Sequence, residues 1–505
     1  MTKLKPIDEL AAEIKRLRAE GKTVAHCHGV FDVLHVGHVR HLKAAKQLGD
    51  LLVVTLTADR FVNKGPGRPA FNQTLRAEMV GALDVVDYVA VNEEPHAVNL
   101  IKKLGPSVYV KGSDYVRPED DPTGMITAEK EAVASVGGRM QFTDEIVFSS
   151  SALINKHFDI FPPATQGWLD GFRERHSLDE VLSYLEKASS LNGVVIGEPI
   201  VDEYVFCEAM GKATKDPMIA SLFQSMESYA GGSLAVANHL AGIINRVDLV
   251  GEIGELERRE DFMRSRLSPG VTPYFMTRAG APTIHKRRFV DHYTQSRLFE
   301  LYLMRDGDAQ AHEVAALEAV LRARLTHADI AVVADYGHGM IADSLALTLG
   351  KESKFLALNV QANAGNRGLN TIRRYGRADY VCLAMHEVVM ETRERNLSVE
   401  RLIPAMLDQF DCDKFTVTRG RLGTLHFDRQ GNVVQAPALA GHVVDRVGAG
   451  DALLSVTSPL VAVGAPWEIV GFLGNIAGGI LVSDLGNRLA IGRASIVKAA
   501  TALLK

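Results

Sequence analysis

Two histidines, His35 and His38, stand one helical turn apart where the sequence predicts the start of a helix. Imidazole N–H groups at a helix N-terminus can bind phosphate oxygens, and the aligned backbone dipoles there also favour negative charge. A pair placed in this way can stabilise the charge that develops on a phosphate during in-line attack. The residues alone leave two other interpretations open, helix capping and a zinc site, although no third zinc ligand is evident nearby.

A second candidate site is a glycine-rich turn ahead of an apolar helical pattern at 452–461, and it consists of Gly448, Ala449, Gly450 and Asp451. Consecutive backbone N–H groups at a helix N-terminus form a concave site for a phosphoryl group. A carboxylate at that turn can accept the proton of an attacking hydroxyl. A tight turn with a capping aspartate would produce the same pattern, so the residues alone leave this alternative open.

The elements that must position these residues follow a regular rhythm. Short apolar runs alternate with helical patterns, which is typical of βαβ units and a parallel sheet. The predicted strands are 23–27, 51–56, 88–91, 108–110 and 193–196, and the predicted helices are 38–48, 78–83, 97–104, 152–157 and 178–188. The stretch 271–305 predicts antiparallel strands of a small sheet or lid, and 255–266 predicts a solvated helix. Ligands of such sheets bind beyond the carboxyl ends of the strands.

A change in this rhythm predicts the domain boundary. The stretch 158–171 contains adjacent prolines and two glycines, a composition that favours a connection between domains. We therefore predict an α/β protein with a first domain at 1–157, a linker at 158–177 and a second domain at 178–505.

The composition excludes several classes of protein. The chain has 505 residues, 47% hydrophobic and 23% charged, with a net charge of −5, which is ordinary for a globular protein and does not favour a nucleic-acid partner. The sequence shows neither a secretory pattern nor an apolar run of membrane-spanning length, so we expect a cytoplasmic protein without a membrane partner. Its four cysteines are far apart, which favours reduced thiols.

The segment from His28 to His38 closely resembles the Gly-x-Phe-Asp-x-Leu-His-x-Gly-His signature of the cytidylyltransferase-like nucleotidyltransferases. The resemblance implies a Rossmann-like fold of the HIGH type, with His35, His38 and Lys46 acting on the phosphates of a nucleoside triphosphate. It further implies a substrate-side contact from Lys64. The nucleotide contacts that it implies are Gly29, Val30, Phe31, Asp32, Arg76, Lys111, Gly112, Asp114, Ser149, Ser150 and Ser151. His28 stands where many relatives have asparagine, which affects substrate choice rather than the class of reaction.

The region from 191 to 490 resembles the ribokinase-like (PfkB) sugar kinases, which implies an α/β fold with a small β lid and Asp451 as the catalytic base. The implied nucleotide contacts are Thr418, Gly420, Gly448, Ala449, Gly450, Asn475 and Gly486, and the implied sugar contacts are Asp202, Gly231, Gly232, Lys286, Arg288 and Asp335. Glu387 is implied as an indirect magnesium contact. Lys212 and Lys215 lie in a predicted loop, where they could hold a sugar phosphate or simply be solvated.

Four positions depart from the kinase pattern. Ala235 and Ala384 replace expected asparagines, Asn359 stands where an aspartate is expected, and Arg446 replaces the usual threonine. The loss of a polar residue near the metal weakens the organisation of magnesium. These departures leave an alternative open, in which only the first domain is catalytic and the second binds a ligand, regulates or oligomerises.

Together the two domains resemble the bifunctional heptose-phosphate kinase/heptose-1-phosphate adenylyltransferase enzymes, in which the kinase comes first and not second. The resemblance implies nucleotidyl transfer from ATP or CTP to a heptose-like sugar or polyol phosphate with release of pyrophosphate. It also implies ATP-dependent phosphorylation of a sugar or sugar phosphate, a requirement for Mg²⁺, and a homodimer.

Overall fold

The computed structural model describes residues 3–62, 69–112, 125–143, 161–486, 488 and 490–504. Two compact units divide the chain between Pro163 and Ala164, with residues 497–505 grouped with the first unit. All four cysteines lie in the described part of the chain, and each is buried and outside any disulfide. Within the described residues, no helix is long and apolar enough to cross a bilayer.

The first unit is a parallel sheet of five strands in the order β3-β2-β1-β4-β5. The strands are β1 (Val24–Gly29), β2 (Leu51–Thr57), β3 (Tyr88–Asn92), β4 (Val108–Gly112) and β5 (Arg139–Thr143). The helices are α1 (Ile7–Ala19), α2 (Val36–Lys46), α3 (Gln73–Gly81), α4 (Val98–Leu104) and α5 (Ile126–Ser135). The predicted βαβ rhythm is confirmed, and the strand order reverses beside β1, where such sheets bind ligands. The helix predicted at 152–157 lies outside the described residues.

The second unit is built on a sheet of nine strands in the order β10-β9-β6-β13-β14-β15-β16-β17-β18, in which only β17 runs antiparallel to the other strands. A separate sheet of four strands, ordered β12-β11-β7-β8, forms the predicted lid. The strands are β6 (Asn192–Gly197), β7 (Pro199–Lys212), β8 (Ile219–Gly232), β9 (Arg246–Leu256), β10 (Val271–Pro282), β11 (Ile284–Asp291), β12 (Arg297–Leu303), β13 (Ile330–Asp335), β14 (Leu356–Val360), β15 (Arg377–Ala384), β16 (Asp411–Thr418), β17 (Thr424–Asp428) and β18 (Val433–Ala436).

Helices cover this sheet and carry several of the site residues. They are α6 (Pro163–Arg175), α7 (Leu178–Ser189), α8 (Ser233–Ala241), α9 (Glu260–Ser265), α10 (Ala311–Leu325), α11 (Asp343–Glu352), α12 (Met385–Thr392), α13 (Val399–Leu407), α14 (Ala449–Ala462) and α15 (Trp467–Leu481). The last helix is α16 (Arg493–Leu504), whose residues from Val497 onward are grouped with the first unit. The glycine-rich turn at 448–450 leads directly into α14, and Gly448 has a left-handed backbone with φ 81°. Glycine is favoured there because a side chain would strain this conformation.

Three expectations about the strands and helices of this unit are wrong. Strand β10 pairs in parallel with β9 in the main sheet, so only β11 and β12 form the antiparallel pair expected in 271–305. Strand β9 runs to Leu256, which shortens the helix expected at 255–266. Lys212 ends β7 instead of lying in a loop, because β7 and β8 form a long hairpin whose exposed tip has no buried face to impose an apolar alternation.

Helix α6 lies within the stretch predicted as a linker. Its Phe172 is fully buried and stacks on Phe472 with ring centroids 4.5 Å apart. The indole of Trp168 donates a hydrogen bond to the Gln435 carbonyl at 2.9 Å. These contacts make α6 part of the core of the second unit, whatever connects the units ahead of it.

Replacement of Phe172 by alanine tests this packing. We expect the variant F172A to lower the free energy of unfolding of the second unit by about 3 to 4 kcal/mol, because it removes a buried ring and leaves a cavity. Urea unfolding monitored by circular dichroism measures the change. The control is Glu174→Ala on the exposed face of α6, which should change stability by less than about 0.5 kcal/mol. Equal stability of F172A and wild type would show that α6 is a linker.

Candidate active sites

The histidine pair lies at the N-terminus of α2, just beyond the carboxyl end of β1. His35 is the N-cap residue, and its Nδ1 accepts a hydrogen bond from the His38 backbone N–H at 3.4 Å. The two rings stack with centroids 3.9 Å apart, and the His38 ring also contacts Phe31. Capping and stacking therefore orient two imidazoles together at the end of the sheet where a phosphate would bind.

The loop before α2 is shaped by a close backbone turn. Phe31 has a left-handed φ of 48°, and a Cβ at Gly29 would stand 3.1 Å from the Phe31 ring. The buried Asp32 accepts hydrogen bonds from the Ala70 N–H at 2.6 Å and the Phe71 N–H at 3.4 Å. In the described residues, Asp32 thus connects this loop with the segment that leads into α3.

Arg76 is fully buried, and its guanidinium donates to groups of the protein. It bonds the carbonyls of Val30, Thr57 (2.8 Å) and Phe71 (2.9 Å), and it pairs with Asp59 at 2.6 Å. These acceptors lie at the carboxyl ends of β1 and β2 and before α3. The contacts support a role for Arg76 in positioning the loops, beside the nucleotide contact predicted from the sequence.

Lys46 lies at the opposite end of α2 from the histidine pair. Its ammonium contacts the Asp87 carboxylate at 2.7 Å and the Asp50 carbonyl at 2.6 Å. The separation of Lys46 from His38 along the helix is about 12 Å at the rise of an α-helix. The structure therefore does not bring Lys46 together with His35 and His38.

Lys111 stands at the end of β4 and forms an ion pair with Glu129 at 2.8 Å. Burial, with the nearby Lys111 charge, lowers the pKa of His26 to about 3 and that of His41 to about 4. The same two causes lower the pKa of His28, whose Nδ1 lies 2.9 Å from the Thr55 hydroxyl. These imidazoles are therefore neutral at pH 7. The ammonium of Lys111 is paired with Glu129, and its contact with a nucleotide stays a prediction.

Sequence reasoning missed His41, whose Nδ1 lies 2.8 Å from the Thr143 hydroxyl. Its position one turn after His38 on α2 was the available signal. Gly112 ends β4 next to Lys111. The remaining predicted contacts of this site lie outside the described residues, and they are Lys64, Asp114, Ser149, Ser150 and Ser151.

The second site is a cavity of about 930 Å³ in the second unit. The structure brings most of the predicted kinase residues together in its wall. The predicted nucleotide contacts that line it are Thr418, Gly420, Gly448, Ala449, Gly450 and Asn475, and the other predicted residues are Asp202, Gly232, Lys286, Arg288, Glu387 and Asp451. The departures Asn359, Ala384 and Arg446 line it too, as does Arg419, which the sequence analysis did not select.

Asp451 lies at the N-terminus of α14, where its Oδ1 accepts a hydrogen bond from the Tyr336 hydroxyl at 2.8 Å. Burial raises the pKa of Asp451 to about 7, and the Asp202 charge acts in the same direction. A carboxylate with a pKa near the operating pH is well matched to general base catalysis.

The sugar side of the cavity carries opposite charges in close contact. Asp202 accepts a hydrogen bond from Arg288 at 2.6 Å, and Arg288 also pairs with Glu300 at 3.0 Å. Lys286 is 6% exposed, and its ammonium lies 5.2 Å from the Tyr302 ring centroid. A Cβ at Gly231 would stand 1.9 Å from Asp202 Oδ2, so only glycine fits against this carboxylate.

Four predicted residues do not line this cavity. Lys212 is exposed, ten residues from Asp202 along β7, about 30 Å at the rise of a strand. The structure therefore does not bring Lys212 together with Asp202, and a contact of Lys212 with the substrate stays a prediction. Gly231 packs against Asp202, which does line the cavity. Asp335 and Gly486 also lie outside the lining residues.

Asp335 and Gly486 contribute to the structure around the cavity. The Asp335 carboxylate is buried and accepts hydrogen bonds from the Tyr375 hydroxyl at 2.7 Å and the Gly337 N–H at 2.9 Å. Gly486 donates its N–H to Asp445 at 3.2 Å, and Asp445 also pairs with Arg297 of the lid. The contacts of Asp445 stabilise the segment that leads to the turn before Asp451.

Glu387 is the residue that the sequence analysis expected as an indirect magnesium contact. Its two oxygens accept hydrogen bonds from the Ala362 N–H at 3.1 Å and the Ala384 N–H at 2.6 Å, and burial raises its pKa. The described residues contain no cluster of three side chains able to hold a metal ion. This donor set fits Mg²⁺ that is bound mainly by phosphates and water, with Glu387 beside it.

Comparison with known proteins identifies the two parts of the chain. The family described as "Cytidylyltransferase-like" matches residues 26–156, and "pfkB family carbohydrate kinase" matches residues 192–491. The "Bifunctional protein HldE" of Geobacter metallireducens is 42% identical over 141 residues, which cover 28% of this chain and 27% of that protein. The protein of the same name in Citrifermentans bemidjiense is 41% identical over 160 residues and 31% of each chain. The chain thus spans less than a third of these relatives.

Solved structures agree with the fold of the second unit. Arabidopsis thaliana ribokinase, complexed with ribose and ATP, has a TM-score of 0.50 and 18% sequence identity and covers 63% of this chain and 99% of its own. A phosphofructokinase-2 mutant from Escherichia coli has a TM-score of 0.51 and 15% identity, with coverages of 63% and 100%. These likenesses confirm the predicted ribokinase-like fold.

Replacement of Arg76 by lysine separates its two candidate roles. We expect R76K to lower the free energy of unfolding of the first unit by about 3 kcal/mol, because lysine cannot satisfy acceptors arranged for a planar guanidinium. Thermal unfolding measures this loss, and nucleotide affinity is measured on the folded protein by calorimetry. The control is Arg60→Lys, whose side chain is 63% exposed. Unchanged stability with weakened nucleotide binding would instead assign Arg76 to direct contact.

The raised pKa of Asp451 predicts a pH-dependent stability. A folded pKa of about 7 exceeds the ordinary aspartate pKa of 3.8, so the folded state keeps a proton that the unfolded chain loses as the pH rises from 4 to 7. Stability therefore falls across this window. We expect Asp451→Asn to be more stable than wild type by about 4 kcal/mol at pH 8 and nearly equal to it near pH 4.

Urea unfolding at pH 4.5 and pH 8 measures this difference, with Asp216→Asn at an exposed turn as the control. A gain that is the same at both pH values would show that ionisation of Asp451 does not cost stability.

Proposed function

This chain belongs to the pfkB family of carbohydrate kinases and carries a cytidylyltransferase-like domain ahead of the kinase domain; on that premise we propose that it is a bifunctional enzyme of sugar-nucleotide synthesis. The second domain phosphorylates a sugar or sugar phosphate with ATP. The first domain transfers a nucleotidyl group from ATP or CTP to a sugar phosphate and releases pyrophosphate.

The observation that carries the kinase proposal is the position of Asp451. Its carboxylate lies in the same cavity as the turn Gly448–Gly450 and as the sugar-side residues Asp202 and Lys286. A base with a pKa of about 7 is thereby placed between a site for a phosphoryl group and a site for its acceptor.

The reaction follows from this placement. A substrate hydroxyl transfers its proton to Asp451 while its oxygen forms a bond to the γ-phosphorus of ATP. The bond from that phosphorus to the bridging oxygen breaks, and ADP leaves. The backbone N–H groups of the turn at 448–450 bind the transferring phosphoryl group. Bound Mg²⁺ would neutralise charge on the nucleotide phosphates, with Glu387 beside it.

The charges on the sugar side favour a substrate that already carries a phosphate. Lys286 and Arg288 are both largely buried, and Arg288 forms ion pairs with Asp202 and Glu300. Among the described residues Lys286 has no ion-pair partner, so an incoming phosphate can contact it without first breaking such a pair. A heptose-like sugar phosphate fits the resemblance to the bifunctional heptose enzymes.

In the first domain, a phosphate oxygen of the sugar phosphate attacks the α-phosphorus of the nucleotide. His35 and His38 donate hydrogen bonds to the phosphate oxygens, and Lys111 adds positive charge at the same edge of the sheet. The bond between the α- and β-phosphates breaks, and pyrophosphate leaves. The homodimer stays a prediction.

Two single substitutions should separate the activities. A matrix of nucleotides and sugar phosphates is assayed for ADP and pyrophosphate, and the products are identified by mass spectrometry. We expect His38→Ala to lower pyrophosphate release by about 10²-fold or more while ADP formation persists, because it removes a donor to the developing phosphate charge. Asp451→Asn should have the opposite effect, since the base is lost.

The controls are His312→Ala and Asp216→Asn, both at exposed positions of the second unit. If no sugar yields ADP in an Asp451-dependent manner, the second domain only binds a ligand. If His38→Ala keeps full pyrophosphate release, the assignment of the first site is wrong.

A further inference from the structure

We propose that Tyr336 is a positioning residue of the kinase site, which fixes the Asp451 carboxylate and favours its ionised form for proton abstraction. Tyr336 directly follows β13 and begins the turn at 336–339. The residue before it, Asp335, is the one that the kinase resemblance implied as a substrate contact. The proposal rests on the kinase function proposed above, and it assigns to the neighbouring tyrosine a role that this function does not include.

The hydroxyl of Tyr336 has one proton, and a carboxylate is an acceptor only. At 2.8 Å, the hydroxyl therefore donates to Asp451 Oδ1. This bond occupies one oxygen of the base and leaves Oδ2 to accept the proton of the substrate hydroxyl. Hydrogen bonds to a charged acceptor are stronger than those to a neutral one, so the bond favours ionised Asp451.

The backbone of Tyr336 is held on both sides. Its N–H donates to the buried Glu198 carboxylate at 3.0 Å. Its carbonyl accepts hydrogen bonds from the side-chain amides of Asn363 at 2.8 Å and Asn366 at 2.9 Å. The residue is 3% exposed. These contacts fix the direction of the phenol, so the position of Asp451 Oδ1 is fixed with it.

The ring of Tyr336 also contacts the sugar side of the cavity. The Lys286 ammonium lies 5.3 Å from the Tyr336 ring centroid and 5.2 Å from the Tyr302 ring centroid. Such a cation–π arrangement holds an ammonium in a dry environment. One residue thereby contacts both the proposed base and the cation proposed to bind the substrate.

The charged groups around Asp451 explain why it needs this donor. Asp202 of β7 and Glu387 of α12 disfavour the negative charge of Asp451, and burial disfavours it most. Lys286 of β11 and the Tyr336 hydroxyl oppose these effects. Loss of the hydroxyl would leave Lys286 as the remaining favourable group among these neighbours.

Replacement of Tyr336 by phenylalanine removes the donor and keeps the ring over Lys286. We expect the acidic limb of the pH profile of kcat/KM for the kinase reaction to move up by about one pH unit. At pH 7 the activity should fall about fivefold, and at pH 9 it should be within about twofold of wild type. The KM for the sugar substrate should change less than kcat, because the ring and Lys286 remain.

The matched control is Tyr380→Phe, which removes another buried tyrosine hydroxyl, one that bonds Thr457 at 2.8 Å. Its acidic limb should coincide with that of wild type. A merely structural role of Tyr336 predicts instead that Y336F lowers activity by the same factor at every pH, and this result would overturn the proposal. Thermal unfolding of each variant confirms that folded protein is compared.

A second measurement does not need a substrate. Because Y336F raises the pKa of Asp451 further, its loss of stability relative to wild type should grow between pH 6 and pH 9. In an Asp451→Asn background the same substitution should cause a loss that is independent of pH. A pH-dependent loss in both backgrounds would contradict the proposed link between the two side chains.

These two measurements also separate this proposal from the proposed function. If wild type forms no ADP with any sugar but the stability linkage is observed, the kinase function fails and the Tyr336–Asp451 contact stands. If wild type is active and neither the acidic limb nor the linkage moves in Y336F, the kinase function stands and this proposal fails. Should Y336F not fold, 3-fluorotyrosine at position 336, a stronger donor, must lower the acidic limb for the proposal to hold.

Discussion

The free-energy cost of burying charge is the constraint on which both sites depend. An ionised side chain loses its hydration at the carboxyl edge of a closely packed sheet, so it must find partners or change its protonation state. Arg76 finds four acceptors, and Arg288 lies between Asp202 and Glu300. Asp451 has one hydroxyl donor, and its pKa rises to about 7. The group left incompletely compensated is the one suited to take up a proton.

Several residues selected for ligand contact already have partners within the protein. Lys46 contacts Asp87, and Asp335 contacts Tyr375. A sequence motif contains residues that position a loop as well as residues that touch the ligand, and the motif alone does not distinguish them. Burial and hydrogen-bond partners distinguish these two roles, because a donor already engaged must break a bond before it binds a ligand.

The structure shows which contacts are made by two residues that depart from the kinase pattern. Asn359 donates from its side chain to the Cys382 carbonyl at 2.8 Å while lining the cavity. Ala384 offers only its backbone N–H, which bonds Glu387. Neither residue therefore adds a side-chain oxygen next to Glu387 where the kinase pattern has one. Arg419 and Arg446 in the same wall add positive charge beside the glycine turn.

Local patterns in the sequence were enough to determine the fold class, the βαβ rhythm and the two families. They also located the segment from His28 to His38 and the glycine-rich turn at 448–450. These features follow from the periodicity of apolar residues and from short motifs, which act over a few neighbouring residues. His35, His38 and Asp451 were found in this way. Lys212 and the strands at 271–305 were not placed correctly, because the pairing of β7 with β8 and of β9 with β10 depends on partners distant in the chain.

Only the tertiary structure decided which charged and polar groups distant in sequence meet. Tyr336 and Asp451 are 115 residues apart in sequence, and Arg297 is 148 residues from Asp445, yet both pairs are in contact. The pKa of Asp451 depends on burial and on charges from β7, β11 and α12, none of which is visible from its own motif. Motif and spacing therefore indicate the class of chemistry, whereas the protonation state of the base is set by packing, because electrostatic interactions act through space and not along the chain.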